Sequence, residues 1–217
     1  MILVGGIGLP WLRDLDYGTQ WIVRMRTEQW PADVMLEDLS YAAHRVLHTF
    51  QDLDPARVVL VGCMPRHIDP PGTIRRYRLD QVAPPVGEVH ERLSEAVMGI
   101  VDLDHTMVVL RHWQGFPADT VIIEIEPEDG EFGLGFSDIV ESTVGVVEAL
   151  VRTEVGRGMG TVSDAPVLTP PTRIVPPVMP TPNMSLFPRS EGDAESGAMV
   201  GTALFPRREG DAESGAL

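Results

Sequence analysis

The sequence contains no lysine, so its 17 Lys-plus-Arg positions are all arginine. That absence removes lysine Schiff-base chemistry and the lysine of phosphate-binding loops. A single cysteine, Cys63, excludes an internal disulfide scaffold and a thiolate cage of the zinc-finger kind. No run approaches the roughly 18 to 20 consecutive apolar residues of a membrane span. The opening MILVGGIGLP has neither the basic region nor the cleavage site of a signal peptide. A cytoplasmic protein without a membrane partner is therefore expected. Positive charge is also scarce: 17 basic residues face 32 acidic ones, a formal charge of −15. Affinity for phosphate backbones comes largely from clustered cations, so nucleic acid is not an expected partner.

What remains is the composition of an ordinary globular chain, 43% hydrophobic and 23% charged over 217 residues. The chain divides near residue 155. Residues 1–155 hold 12 of the arginines, 25 of the acids and nearly all of the periodic apolar pattern. Residues 156–217 are rich in Pro, Gly and Ser and show no helical or strand period. Such a stretch buries too little apolar surface to offset its ordering entropy, which predicts a disordered tail. Within it, residues 186–198 recur as 204–216 with one internal difference, Ser190 in one copy and Arg208 in the other. Each copy opens with an apolar anchor, Leu186-Phe187-Pro188 and Leu204-Phe205-Pro206, beside an acidic stretch. Two tethered copies suit bivalent docking to an unknown partner; a duplication in unconstrained linker is the plainer account.

Within residues 1–155, strands are expected at 1–5, 33–37, 57–62 and 121–126. Residues 57–62, RVVLVG, form a continuous apolar run, the mark of a strand covered on both faces. Residues 73–79 alternate well enough for an edge strand with its arginines outward. Helical spacing covers 16–26, 39–50, 88–100 and 104–113, and Ser137 caps a long helix over 137–155. Strands alternating with helices of this length imply an α/β fold: a mostly parallel, twisted sheet with helices on both faces in three layers. Ligands of such sheets sit beyond the carboxyl ends of the strands. Residues 6–16, 38–40, 62–72 and 126–136 are the places to look.

Those segments carry a family likeness. Gly6, Gly8, Asp14 and Gly18 in ILVGGIGLPWLRDLDYG, then residues 57–62, Pro71-Gly72-Thr73, Ile125-Glu126-Pro127 and Gly133-Leu134-Gly135-Phe136-Ser137, fall in order along the chain. In this respect it resembles the nickel–iron hydrogenase maturation endopeptidases. The resemblance implies a metal-dependent endopeptidase, a hydrolase that removes a C-terminal extension from the hydrogenase large subunit once nickel is installed. It implies recognition of that substrate-borne nickel, or another divalent metal, through two carboxylates and a histidine. It also implies structural roles for Gly6, Gly8, Gly18 and Gly72 in the loops. The chain departs from the family pattern at the ligands. Leu15 stands where the first carboxylate belongs, and Gly62-Cys63-Met64 stands where the second does. A shift of one residue at a helix start turns a side chain by about 100°, so Asp16 replaces the missing ligand only if the loop is rebuilt. The same fold without its ligand set would serve as a non-catalytic accessory protein that binds a hydrogenase subunit or assembly factor.

Asp14 and Asp16 are the foremost metal-ligand candidates because they follow a strand, although either could simply cap the next helix. His105 follows Asp102-Leu103-Asp104, an oxygen and nitrogen cluster suited to a divalent ion, and Asp104 joins it as a candidate. The alternative is a helix start with acids at its cap and a half-buried histidine. His90 sits among charges that suit a solvated helix face. Cys63 is a soft ligand, a nucleophile or a small buried apolar group, and Asp69 lies further along the same loop. No catalytic base is identifiable.

Overall fold

Seven residues, Arg57–Cys63 (β3), are buried along their whole length in the computed structural model, which describes residues 1–170. Their burial on both faces is what the uninterrupted apolar run requires. β3 lies beside Ile2–Ile7 (β1) on one side and Thr120–Ile125 (β5) on the other, parallel to both. Val34–Asp38 (β2) pairs in parallel with the outer side of β1. Ile74–Leu79 (β4) runs antiparallel to β5, and Val167–Leu168 (β6) adds in parallel to β4. The sheet order is β2-β1-β3-β5-β4-β6.

Side chains alternate across this sheet and feed two cores. Leu3, Val58, Leu60 and Ile122 point to one face and pack with Val46 and Phe50 of Ala43–Leu53 (α2) and with Met107 and Leu110 of Leu103–His112 (α4). Val4, Val59, Val61 and Ile123 point to the other face. There they meet Trp21 and Ile22 of Tyr17–Met25 (α1) and Val147 and Val151 of Val144–Gly156 (α6). Val86–Val97 (α3) packs beside α4. The expected three-layer α/β architecture is the observed one.

Four local expectations are corrected. The strand at 73–79 is an edge only in its first part, because β6 pairs with its last two residues, Arg78 and Leu79. Its arginines are half-buried and paired: Arg75 with Asp69 and Glu124, Arg76 with Glu154 and Asp164. The helix expected over 137–155 is interrupted. Asp138–Glu141 (α5) ends before α6 begins at Val144, and Ser137 makes no side-chain cap bond. The folded part also continues past residue 155. Ser163 donates to Glu154 Oε1 at 2.8 Å, Arg78 Nε donates to Ala165 O at 3.0 Å, and β6 follows. Two residues are too few to show a period, and polar groups anchor this stretch, so no apolar pattern announced it. Leu186, Phe187, Pro188, Leu204, Phe205 and Pro206 lie outside the described residues.

The first crossover depends on bare backbone. A Cβ on Gly6 would stand 2.1 Å from Gly18 O, and one on Gly18 would stand 2.2 Å from Ile7 N. Helix α1 therefore leaves the end of β1 at a distance that only glycine permits. Gly8 sits against the Asp16 backbone, and Gly72 holds a φ of +79° beside Ile139.

Gly6→Ala should destabilise the fold by about 3 kcal/mol or more, because backbone cannot step aside as a flexible side chain can. Gly145 of α6 has open space around its Cβ position, so Gly145→Ala should stabilise by about 0.5–1 kcal/mol. Urea unfolding of the two variants checks this; shifts of the same sign and size would refute the packing argument.

Candidate functional site

The strand order reverses between β1 and β3, since the chain goes from β1 outward to β2 and returns to β3 on the other side. The crevice of an open α/β sheet opens at the carboxyl ends of such a strand pair. Here it holds a pocket of about 10 Å³, lined by Leu9, Leu15, Cys63, Met64 and Asp102 among others. That is room for about one water molecule. Leu15 and Cys63-Met64 are where the family likeness sets its two carboxylates, and the structure brings them together with apolar side chains. Burial pushes the Cys63 thiol well above its usual range, with the Asp14, Glu126 and Glu124 charges adding to the effect. It stays protonated, which makes it a poor nucleophile.

Asp14 is fully buried in the 3-10 turn Arg13–Asp16. Its Oδ2 accepts from Glu128 N at 3.0 Å, Asp129 N at 2.9 Å and Ser137 Oγ at 2.8 Å. Its Oδ1 accepts from Ser137 N at 2.7 Å. The carboxylate is a clasp that fixes residues 128–137 against the first loop, and it caps no part of α1. The expected cap hydroxyl of Ser137 is taken up in this clasp.

Asp16 is different. It is 7% exposed, and Oδ2 accepts from Gln20 Nε2 at 3.1 Å while Oδ1 is buried without a hydrogen-bond donor. Burial raises its pKa, with a further push from Asp38. Asp38 closes β2 and accepts from Ser40 N at 3.0 Å; Ser40 Oγ accepts from Gly8 N and pairs with Thr19 Oγ1 at 2.9 Å. Asp38 was not singled out from the sequence. Its place at the carboxyl end of a strand was the available signal.

Asp104 and His105 have separate tasks. Arg66, fully buried, donates to Asp104 Oδ2 at 2.7 Å and Oδ1 at 2.6 Å, and to Glu124 Oε2 at 3.0 Å. Glu124 also accepts from Tyr77 Oη at 2.9 Å and Arg75 Nη1 at 3.0 Å, and Arg75 reaches on to Asp69. Burial works against the Arg66 charge, but Asp104 and Glu124 outweigh it and hold the guanidinium protonated. Burial pushes the Asp104 carboxyl up to about 6 against the pull of Arg66. His105 Nε2 accepts from Ala43 N at 3.2 Å while Nδ1 faces Arg92 O at 3.2 Å. These partners require the neutral ring with its proton on Nδ1, and burial lowers the pKa in the same direction. The histidine pins the start of α2 to α3. His90 is exposed on α3. Among the described residues, no three His, Cys, Asp or Glu side chains are grouped to hold a metal ion. Asp14, Asp16, Asp104 and His105 thus do not form one ligand set, because three of them already satisfy protein donors and acceptors elsewhere.

Arg66→Met should cost about 3–5 kcal/mol at neutral pH, because it takes from the buried Asp104 carboxylate its guanidinium partner, while Glu124 keeps Tyr77 and Arg75. Stranded acids bind protons more readily in the folded than in the unfolded state. The stability gap to the parent should therefore narrow as pH falls from 7 towards 5. Urea titrations at several pH values test this, and a gap independent of pH would contradict it.

No protein-family model matches the sequence, and no curated protein matches it. Solved structures do match. The hydrogenase 2 maturation peptidase from Thaumarchaeota archaeon SCGC_AB-539-E09 is 20% identical, with 71% of this chain and 97% of that one covered at a TM-score of 0.51. The hydrogenase maturating endopeptidase HybD from Escherichia coli is 18% identical, with 70% and 93% covered at 0.51. The endopeptidase HycI from Escherichia coli is 13% identical, with 75% and 96% covered at 0.52. The described domain has the fold of the hydrogenase maturation endopeptidases.

Proposed function

We propose that this chain serves the maturation of a nickel–iron hydrogenase by binding the large subunit at the carboxyl rim of its sheet, without cleaving it. The observation that carries this reading is the lining of the switch-point pocket. Leu15, Cys63 and Met64 occupy the positions where the family likeness sets carboxylates, and the pocket measures about 10 Å³. A divalent ion is gripped by oxygen and nitrogen donors that have lone pairs to give. Asp14, Asp104 and His105 have committed theirs to the fold. The duplicated Leu-Phe-Pro segments at 186–188 and 204–206 would add a second, bivalent contact to the same assembly or to another partner.

A cleaving reading rests on Asp16. Its carboxyl is buried, raised in pKa, set beside Asp38, and has one oxygen without a donor. Such a group could approach a nickel ion carried by the substrate or hold a proton for an attacking water.

A nickel-loaded large-subunit precursor, incubated with the purified protein and followed by intact mass, separates the two. Binding with no shortened product is expected. A shortened product that disappears with Asp16→Asn would establish the endopeptidase instead, and absence of both binding and cleavage would refute the hydrogenase assignment.

A further inference from the structure

We infer that the ribbon formed by residues 9–13 and 131–135 is a docking surface for a segment of another protein that carries apolar side chains flanked by arginine or lysine. This rests on reading the carboxyl rim as a protein-binding face, but not on the partner being a hydrogenase.

Three large apolar side chains stand in solvent on this ribbon: Trp11 is 58% exposed, Phe132 81% and Leu134 72%. They do not hang from loose loops. Leu12 and Gly133 form a parallel bridge, Gly133 N donates to Trp11 O at 2.8 Å, and Arg13 N donates to Gly133 O at 3.4 Å. Beneath the ribbon the Asp14 carboxylate clamps the amides of Glu128, Asp129 and Ser137. A surface held in this way loses little freedom when a partner settles on it.

The backbone supplies an independent observation. Trp11 has a φ of +69° and Arg13 a φ of +41°, a left-handed conformation that bulky residues rarely adopt. Strain of this kind persists only where the surroundings impose it, and it concentrates at working surfaces. Here its product is an indole turned into water.

Charge selects among occupants. Arg13 pairs with Asp129 at 3.1 Å, whereas the exposed Glu128 and Glu131 have no ion pair among the described residues. Acids beside an apolar cluster attract basic flanking residues and repel phosphate-bearing surfaces. A second copy of the chain would bring the same acids face to face.

The test selects 12-residue peptides from a random library against the full chain. Enriched peptides should combine apolar residues with arginine or lysine. They should bind at least tenfold more weakly to Trp11→Gly and to Phe132→Ser. Glycine suits the φ of position 11, so the melting temperature of Trp11→Gly should be unchanged or higher, which separates lost binding from lost fold. Glu128→Gln with Glu131→Gln should flatten the salt dependence. Peptides that bind parent and variants alike, or a library that yields no enrichment, would overturn the inference. So would self-association in sedimentation that Phe132→Ser abolishes. A hydrogenase precursor that fails to bind while the peptides behave as expected would refute the function proposed above and leave this surface standing. Precursor binding that persists in Trp11→Gly while the library yields no enrichment would do the reverse.

Discussion

The carboxyl rim depends on one side chain that accepts four hydrogen bonds. Loops beyond the strands of a parallel sheet leave backbone donors without ladder partners, and burying them unpaired is costly. Asp14 takes up the amides of Glu128, Asp129 and Ser137 together with the Ser137 hydroxyl, joining segments 114 to 123 residues apart. Each such bond to a charged acceptor contributes about 1.5–3 kcal/mol where it stands alone. The carboxylate reaches its place because Gly6 and Gly18 allow α1 to start in backbone contact with β1. A packing constraint at two glycines thus sets the position of the charge that closes the last loop.

The opposite side of the rim is held by a cation. Arg66 lies between Asp104 and Glu124, and through Glu124 the network extends to Tyr77, Arg75 and Asp69. It ties the loop after β3 to the first turn of α4 and to the middle of β4. A buried carboxylate with a bidentate guanidinium partner is satisfied in geometry and charge. It is correspondingly unavailable to a ligand. His105 extends the same logic to α2 and α3 through its two ring nitrogens.

β1, β3 and β5 were legible because burial on two faces writes itself as continuous apolar runs, and β4 through its alternation, whereas the two residues of β6 were not. The helices were legible through their three- and four-residue spacing. The break at residues 142–143 was not, since nothing in Glu141-Ser142-Thr143-Val144 forbids a helix; at the turn the Ser142 and Thr143 hydroxyls donate to Ile139 O and Val140 O. The site was half legible. Position after a strand end identified Asp14 and Asp16 as rim residues, and the same rule reached Asp38 only as part of a loop. Which partner takes each carboxylate was not legible, because the donors to Asp14 come from the far end of the domain and Arg66 stands 38 residues from Asp104. Sequence spacing carries no record of such pairings.

These pairings bear on how the rim could meet a metal-bearing protein. An ion carried by a partner is gripped only by side chains whose lone pairs are free to reach it. Asp16 and Asp38 supply two carboxylates, one of them already accepting from Ser40 N, and no imidazole joins them among the described residues. The pocket at the strand reversal is too small and too apolar to supply the remainder. The partner contact proposed above would then draw on the surface around the pocket, where Trp11, Phe132 and Leu134 project beside Glu128 and Glu131. Recognition by apolar shape and complementary charge needs no ligand set, and it makes use of the rigidity that the buried carboxylates confer. The same commitment of Asp14 and Asp104 that withdraws them from metal chemistry is what holds that surface in place.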